Sequence, residues 1–306
     1  MRQMLAALCL IAPPVAAEDA PRVVADIAPI YSLVTQMMRG AGTPSQIIPT
    51  GASPHGYAMR PSEARALRDA DLVVWVGPAL THWLEEPLDT LAGDAARLTL
   101  MSQAGTKTLP MREAVKLLDG EEHDHDHDDD HEGHGHDGDV DPHGWLAPSN
   151  AVLWAGVIAQ TLEEMDAANA AIYTANWEDF RNEMADIEQE LTDKLRPYRD
   201  TSFIVLHDAF HYFEATFGVE ADAFIVPGDG STPGPAQIKA LRDYLAENPA
   251  TCAFTAPQEN DSLLRTVIEG QGTRIAVLDS MGDGITPYAT LIREFADDMV
   301  ACLSQG

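Results

Sequence analysis

Residues 61–69, PSEARALRD, and residues 235–243, PAQIKALRD, carry Ala-Leu-Arg-Asp at the same offset from an opening proline. Proline fits the first turn of a helix, where its missing N–H has no intrahelical partner anyway, and Glu63 sits early in the first of the two; both segments read as helices. Apolar strands surround each of them. Before the first helix come Arg22–Ala25 (RVVA), a helix-like run Ile30–Met38, and Gln46–Pro49; Leu72–Val76 follows it. Around the second stand Phe203–Leu206, a helix-like run Phe210–Phe217, Cys252–Thr255 and Arg274–Leu278. Strands alternating with helices imply βα units and parallel sheets in both halves. The matched helices point to an internal duplication. The expected fold is therefore α/β, with two lobes whose parallel sheets are flanked by helices.

A long helical stretch separates the halves. From Asp166, read as an N-cap, to Leu195, apolar residues fall at Ile172, Phe180, Met184, Ile187, Leu191 and Leu195. Steps of three and four make one buried stripe, and Pro197 ends it. This predicts a long rigid linker helix joining the lobes, the other reading being an ordinary surface helix of one of them. The expected division is 1–17 as a signal peptide and 18–148 as an N-terminal lobe containing a mobile loop at 119–140. A helical region at 149–197 and a C-terminal lobe at 198–306 complete it.

The leader reading rests on Arg2, the apolar run Leu5–Ile11 and the small residues Val15-Ala16-Ala17. The apolar run is too short to span a bilayer, so no stable membrane insertion is expected. Export would remove Cys9 and leave Cys252 and Cys302, an even pair that reads as a disulfide in an oxidising compartment; two buried free thiols are the alternative. The net charge of −30 argues against nucleic acid and anionic membrane surfaces as partners.

Residues 121–139, EEHDHDHDDDHEGHGHDGD, hold six histidines, ten acids and no apolar side chain. Acids alone would make a solvated tail, but histidine at nearly every second position points to weak binding of divalent cations by His123, His125, His127, His131, His134 and His136. A tract of this kind makes a poor specific site, so the other histidines matter more. His55 lies in Gly51-Ala52-Ser53-Pro54-His55-Gly56-Tyr57, and His143 in Asp141-Pro142-His143-Gly144-Trp145-Leu146. His207 and Asp279 each close a strand. Ligands of parallel α/β sheets bind beyond the carboxyl ends of strands. His55, His207 and Asp279 come from both halves and can meet only in the cleft between them. Three imidazoles and a carboxylate make a shell that zinc accepts. Singly, each of these residues is as readily a loop, turn or cap residue. His82 has no special spacing, and His211, one turn beyond His207, is a reserve ligand.

These motifs, with Pro61-Ser62-Glu63, Ala70-Asp71-Leu72-Val73-Val74-Trp75-Val76-Gly77-Pro78, His207-Asp208-Ala209-Phe210-His211-Tyr212-Phe213 and Val277-Leu278-Asp279, resemble the zinc-uptake solute-binding proteins of bacterial zinc/manganese ABC importers. The resemblance covers essentially the whole chain after the leader. It implies two α/β lobes bridged by a long helix, a periplasmic location, Zn2+ in the cleft and ligands at His55, His143, His207 and Asp279. It also implies an ABC importer membrane permease with its ATPase as partner. The acidic histidine-rich loop marks the zinc-type members, while manganese-type members usually carry a carboxylate where His207 stands. Ala147 replaces an acid common in the family, and Ser280-Met281 replaces the commoner Pro-Leu.

The expected function is high-affinity zinc capture by a monomer, without chemistry. Manganese or another divalent metal is the alternative within the class, although three nitrogen ligands favour the later transition metals. A zinc hydrolase would need Asp279 or Glu259 as a base, and the chain has no H-E-x-x-H motif. A metal-dependent adhesin is the third class.

Overall fold

The computed structural model describes residues 20–112, 140–282 and 286–305. The leader at 1–17 and the histidine-rich run at 121–139 lie outside the described residues.

Two four-stranded parallel sheets form the frame. The first contains β1 (Val23–Ala25), β2 (Ser45–Gln46), β3 (Leu72–Trp75) and β4 (Ala96–Thr99), in the order β2-β1-β3-β4. The second contains β5 (Phe203–His207), β6 (Ala223–Val226), β7 (Cys252–Thr255) and β8 (Arg274–Val277), in the order β6-β5-β7-β8. The two orders are the same, so the duplication suspected from two helices extends to the topology. The central strands β1, β3 and β7 are buried at every residue, as parallel strands covered on both faces should be.

Around the first sheet stand α1 (Ala28–Met37), α2 (Pro61–Arg68), α3 (Pro78–Thr81) and α4 (Glu85–Leu91). Around the second stand α7 (His211–Phe217), α8 (Pro235–Glu247), α9 (Ser262–Val267) and α10 (Tyr288–Leu303). The duplicated helices α2 and α8 start by one device. Pro61 and Pro235 open them, and a side chain three residues past the cap accepts the cap amide. Glu63 Oε2 takes the Arg60 N–H at 2.6 Å, and Gln237 Oε1 takes the Gly234 N–H at 2.7 Å.

Between the sheets, α5 (Pro148–Met165) and α6 (Ala170–Leu195) form a helical hairpin. The expected start of the long helix at Asp166 needs correction. Asp166 is buried and serves the turn between the two helices, accepting from Asn169 Nδ2 at 2.8 Å and the Tyr173 hydroxyl at 2.7 Å. The stripe Phe180, Met184, Ile187, Leu191, Leu195 is buried as expected, but Tyr173 and Asn176 replace Ile172 at its beginning. The 26 residues of α6 extend about 39 Å at 1.5 Å each. One end engages the first lobe, where Asn176 Nδ2 donates to the Met37 and Arg39 carbonyls at 2.8 and 2.9 Å. The other engages α10, through Lys194–Asp297 at 2.6 Å and Arg293–Glu190 at 3.0 Å. A helix pinned at both ends to different lobes is a strut. One continuous apolar cluster, from Val23 to Leu303, runs through both lobes.

Cys252 and Cys302 form the expected disulfide, which joins β7 to α10. Among the described residues, no helix is long and apolar enough to cross a membrane.

Candidate metal centre

His55 lies on the loop between β2 and α2, and that loop is braced at two points. Trp83 Nε1 donates to the Pro54 carbonyl at 2.8 Å, and the Tyr57 hydroxyl reaches Glu63 at 2.9 Å. His143 precedes a single 3-10 turn, Gly144–Leu146, ahead of α5. His207 ends β5. The three imidazoles converge between the lobes, each offering one nitrogen within 4.8 Å of the others. Ring centroids lie 5.7, 5.3 and 5.3 Å apart, at steep interplanar angles of 65, 83 and 78°. Such rings point nitrogens at a common centre without stacking. A zinc ion bound at about 2.0–2.1 Å would hold the nitrogens about 3.4 Å apart, so a small contraction completes the triangle.

Hydrogen bonding supports a cation at that centre. Nε2 of His55 and both ring nitrogens of His207 are buried without a hydrogen-bond partner. Each orphaned buried group costs about 1–3 kcal/mol, and a cation in the triangle would satisfy two of them. His143 is oriented differently. Its backbone N–H and its Nδ1 both contact Asp141 Oδ1, at 2.9 and 2.8 Å. A carboxylate only accepts, so Nδ1 carries the proton and Nε2 presents its lone pair. A carboxylate behind a ligating imidazole fixes its tautomer and raises its basicity. Nδ1 of His211 sits 3.4 Å from Asp141 Oδ2, and His211 is not among the imidazoles whose nitrogens lie within 4.8 Å of one another.

Electrostatics prepares the rings for a metal. Burial, reinforced by His143, pushes His55 down to about 4, against the pull of Asp229 and Asp141. Burial, with His143 and His55, pushes His207 down to about 3. Both rings are therefore neutral near pH 7 and bind a cation without first losing a proton. Burial alone would raise the Asp141 carboxyl. The attraction and hydrogen bond of His143, with a smaller contribution from His211, instead hold it below the usual carboxylate range.

A stability prediction follows from the two depressed histidines. Above about pH 6.5 neither the folded nor the unfolded chain protonates them, and there is no effect. Below it the unfolded chain gains protons that the folded chain refuses, so the metal-free protein loses stability as pH falls from about 6.5 toward 4, by about 1.4 kcal/mol per pH unit per group. Urea midpoints at pH 7 and pH 4.5, with chelator present, should fall more in the wild type than in a His55→Gln/His207→Gln double variant. An equal fall in both refutes the assignment.

Asp279, expected as the fourth ligand, is not brought to the three imidazoles. Its Oδ1 accepts the Met281 and Gly282 amides at 2.9 and 2.8 Å, the turn-capping use open to any aspartate after a strand. It lines a separate cavity with Glu294 and Asp298. Its neighbours Ser280 and Met281 do reach the histidine cavity, and the Ser280 carbonyl accepts from Trp145 Nε1 at 2.9 Å. The carboxylate on the histidine cavity is Glu259, just past β7, which the sequence raised only as a possible base. Its Oε2 accepts the Ala256 amide at 2.8 Å and the Thr255 hydroxyl at 3.1 Å, and burial raises it against those bonds and His143. The cavity, of about 280 Å3, is walled on the second lobe by residues at the carboxyl ends of β5, β6 and β7. His82 stands apart, exposed and paired with Glu85 at 2.7 Å. Asp141 was legible as part of a motif but not as a partner of His143, because its role depends on ring geometry.

Two parallel α/β lobes, a strut between them and three imidazoles in the cleft define a two-lobed metal-binding receptor. The model of the family described as zinc-uptake complex component A periplasmic, ZnuA, matches residues 23–302, and the chain belongs to that family. The high-affinity zinc uptake system protein ZnuA of Paracoccus denitrificans (strain Pd 1222) is 40% identical, over 98% of this chain and 97% of that one. The protein of the same description from Yersinia pestis is 31% identical, over 98% and 96%. A solved structure, the 138-173 ZnuA deletion mutant with zinc bound, matches with a TM-score of 0.77 at 22% identity, covering 93% of this chain and 98% of that one.

Proposed function

We propose that the chain captures Zn2+ in the periplasm, between Nε2 of His55, Nε2 of His143 and one nitrogen of His207, and delivers it to an ABC importer made of a membrane permease and its ATPase. The observation that carries this reading is the triangle of imidazoles, with partnerless buried nitrogens on two of its three rings. Its relatives are described as high-affinity zinc uptake proteins. Three nitrogen donors favour zinc over manganese by ligand chemistry. Both backbone amides bond Asp279 through Oδ1, which leaves Oδ2 to ligate, so water or Asp279 completes the shell. Glu259, the carboxylate in the same cavity, has one oxygen engaged by a backbone amide and a hydroxyl. The histidine-rich run at 121–139 gathers further ions weakly.

Competition against a chelator of known affinity tests the reading. The full chain should bind one zinc with nanomolar affinity, about −12 kcal/mol, plus further ions more weakly. A variant lacking 121–139 should keep the tight ion and lose the others. Affinity weaker than micromolar in the full chain contradicts capture, and an unchanged ion count after deletion contradicts the role given to the run.

A further inference from the structure

The segment Lys107–Arg112 leaves the first lobe and crosses to the second. At its start, Asn150 on α5 holds Lys107 by both backbone groups, at 2.8 and 2.9 Å. Further on, the Leu109 amide donates to the Tyr212 hydroxyl at 2.9 Å, and that hydroxyl donates to the Asp141 carbonyl at 2.9 Å. Arg112 follows, and its guanidinium reaches two carboxylates of the second lobe. Nε lies 3.0 and 3.1 Å from the oxygens of Asp208, Nη2 also donates to Asp208, and Nη1 donates to Glu214 at 2.6 Å. Both carboxylates are buried, and the guanidinium also lies 5.7 Å from the Phe224 ring centroid.

The contact has little freedom. A Cβ at Gly228 would stand 3.0 Å from the Asp208 carbonyl and 3.2 Å from the sulfur of Met111. Arg112 and Met111 therefore sit in a slot bounded by the residue that follows His207. Asp208 donates its backbone N–H to the Val226 carbonyl at 2.9 Å, so its backbone is held from one side by β6 and its carboxylate from the other by Arg112.

We propose that Arg112 is a positioning residue for the metal: its two-pronged grip on Asp208 holds the neighbouring His207 in register with His55 and His143, and losing that grip speeds release of zinc. The idea rests on the zinc reading above and adds to it an inter-lobe clasp that the cleft must undo before it opens. A purely structural role would require Arg112 only to neutralise two buried carboxylates, and the two roles separate experimentally. Arg112→Lys keeps the positive charge and loses the planar fork. The triple variant Arg112→Met/Asp208→Asn/Glu214→Gln removes the charges altogether, so no buried ion is left unpaired.

Zinc release into excess chelator is followed by stopped flow, alongside thermal melting and the visible spectrum of the cobalt-loaded protein. Both variants should still take up one tight zinc, release it about 10–100-fold faster than wild type, the range for losing an outer-shell partner, and show an altered cobalt spectrum. The triple variant should do so at near wild-type melting temperature. Wild-type release and cobalt spectra in whichever of the two variants folds would overturn the proposal while leaving the zinc site standing. Failure of the zinc reading would show separately, as absence of tight zinc from the wild type.

Discussion

His207→Ala should lower zinc affinity by at least about a hundredfold, more than an outer-shell loss typically costs. His207 is the only imidazole of the triangle contributed by the second sheet, at the end of β5. Without it, His55 and His143 remain as a pair facing an open cavity. Ligand binding stabilises a fold by RT ln(1 + [L]/Kd), and at a zinc concentration a hundred times the wild-type Kd that amounts to about 2.7 kcal/mol. Most of this increment should vanish in the variant. The metal-free variant should melt within a few degrees of wild type, because both ring nitrogens of His207 make no hydrogen bond that could be lost. Calorimetry with and without zinc reads both effects. An unchanged zinc-induced rise in melting temperature would remove His207 from the site.

The second large effect concerns stability alone. Cys252 and Cys302 are 50 residues apart in sequence, and releasing a loop of that length costs about 4 kcal/mol by the chain-entropy argument. Cys252→Ala/Cys302→Ala should therefore shift the urea midpoint strongly downward. Zinc affinity should persist wherever the variant is folded, because Cys252 begins β7 whereas Gln258 and Glu259, past the other end of that strand, line the cavity. A variant as stable as wild type would contradict the entropic role. Loss of zinc from folded variant would show that the bridge also shapes the site.

Much of this organisation was legible because it is local. Apolar runs such as Leu72–Trp75 and Cys252–Thr255 are buried central strands, and the Pro61 and Pro235 signals start helices where expected. The rule about strand ends pointed to His55, His207 and Asp279, and the motif around His143 with the family resemblance added the third histidine. What sequence did not yield depends on orientation. Asp279 occupies the expected chain position, but which way its carboxylate turns depends on a local loop in which Oδ1 accepts the Met281 and Gly282 amides. Asp166 has the chemistry of an N-cap, yet tertiary contact with Tyr173 makes it a buried turn residue. Arg112 had no motif at all; its role arises from carboxylates roughly a hundred residues away, at Asp208 and Glu214.

The most direct measurement is anomalous scattering from crystals of the zinc-loaded protein, collected above and below the zinc edge. A single strong peak about 2.0–2.1 Å from one nitrogen each of His55, His143 and His207 is the predicted result. A peak elsewhere in the folded lobes, with those three rings free of metal, would contradict the account.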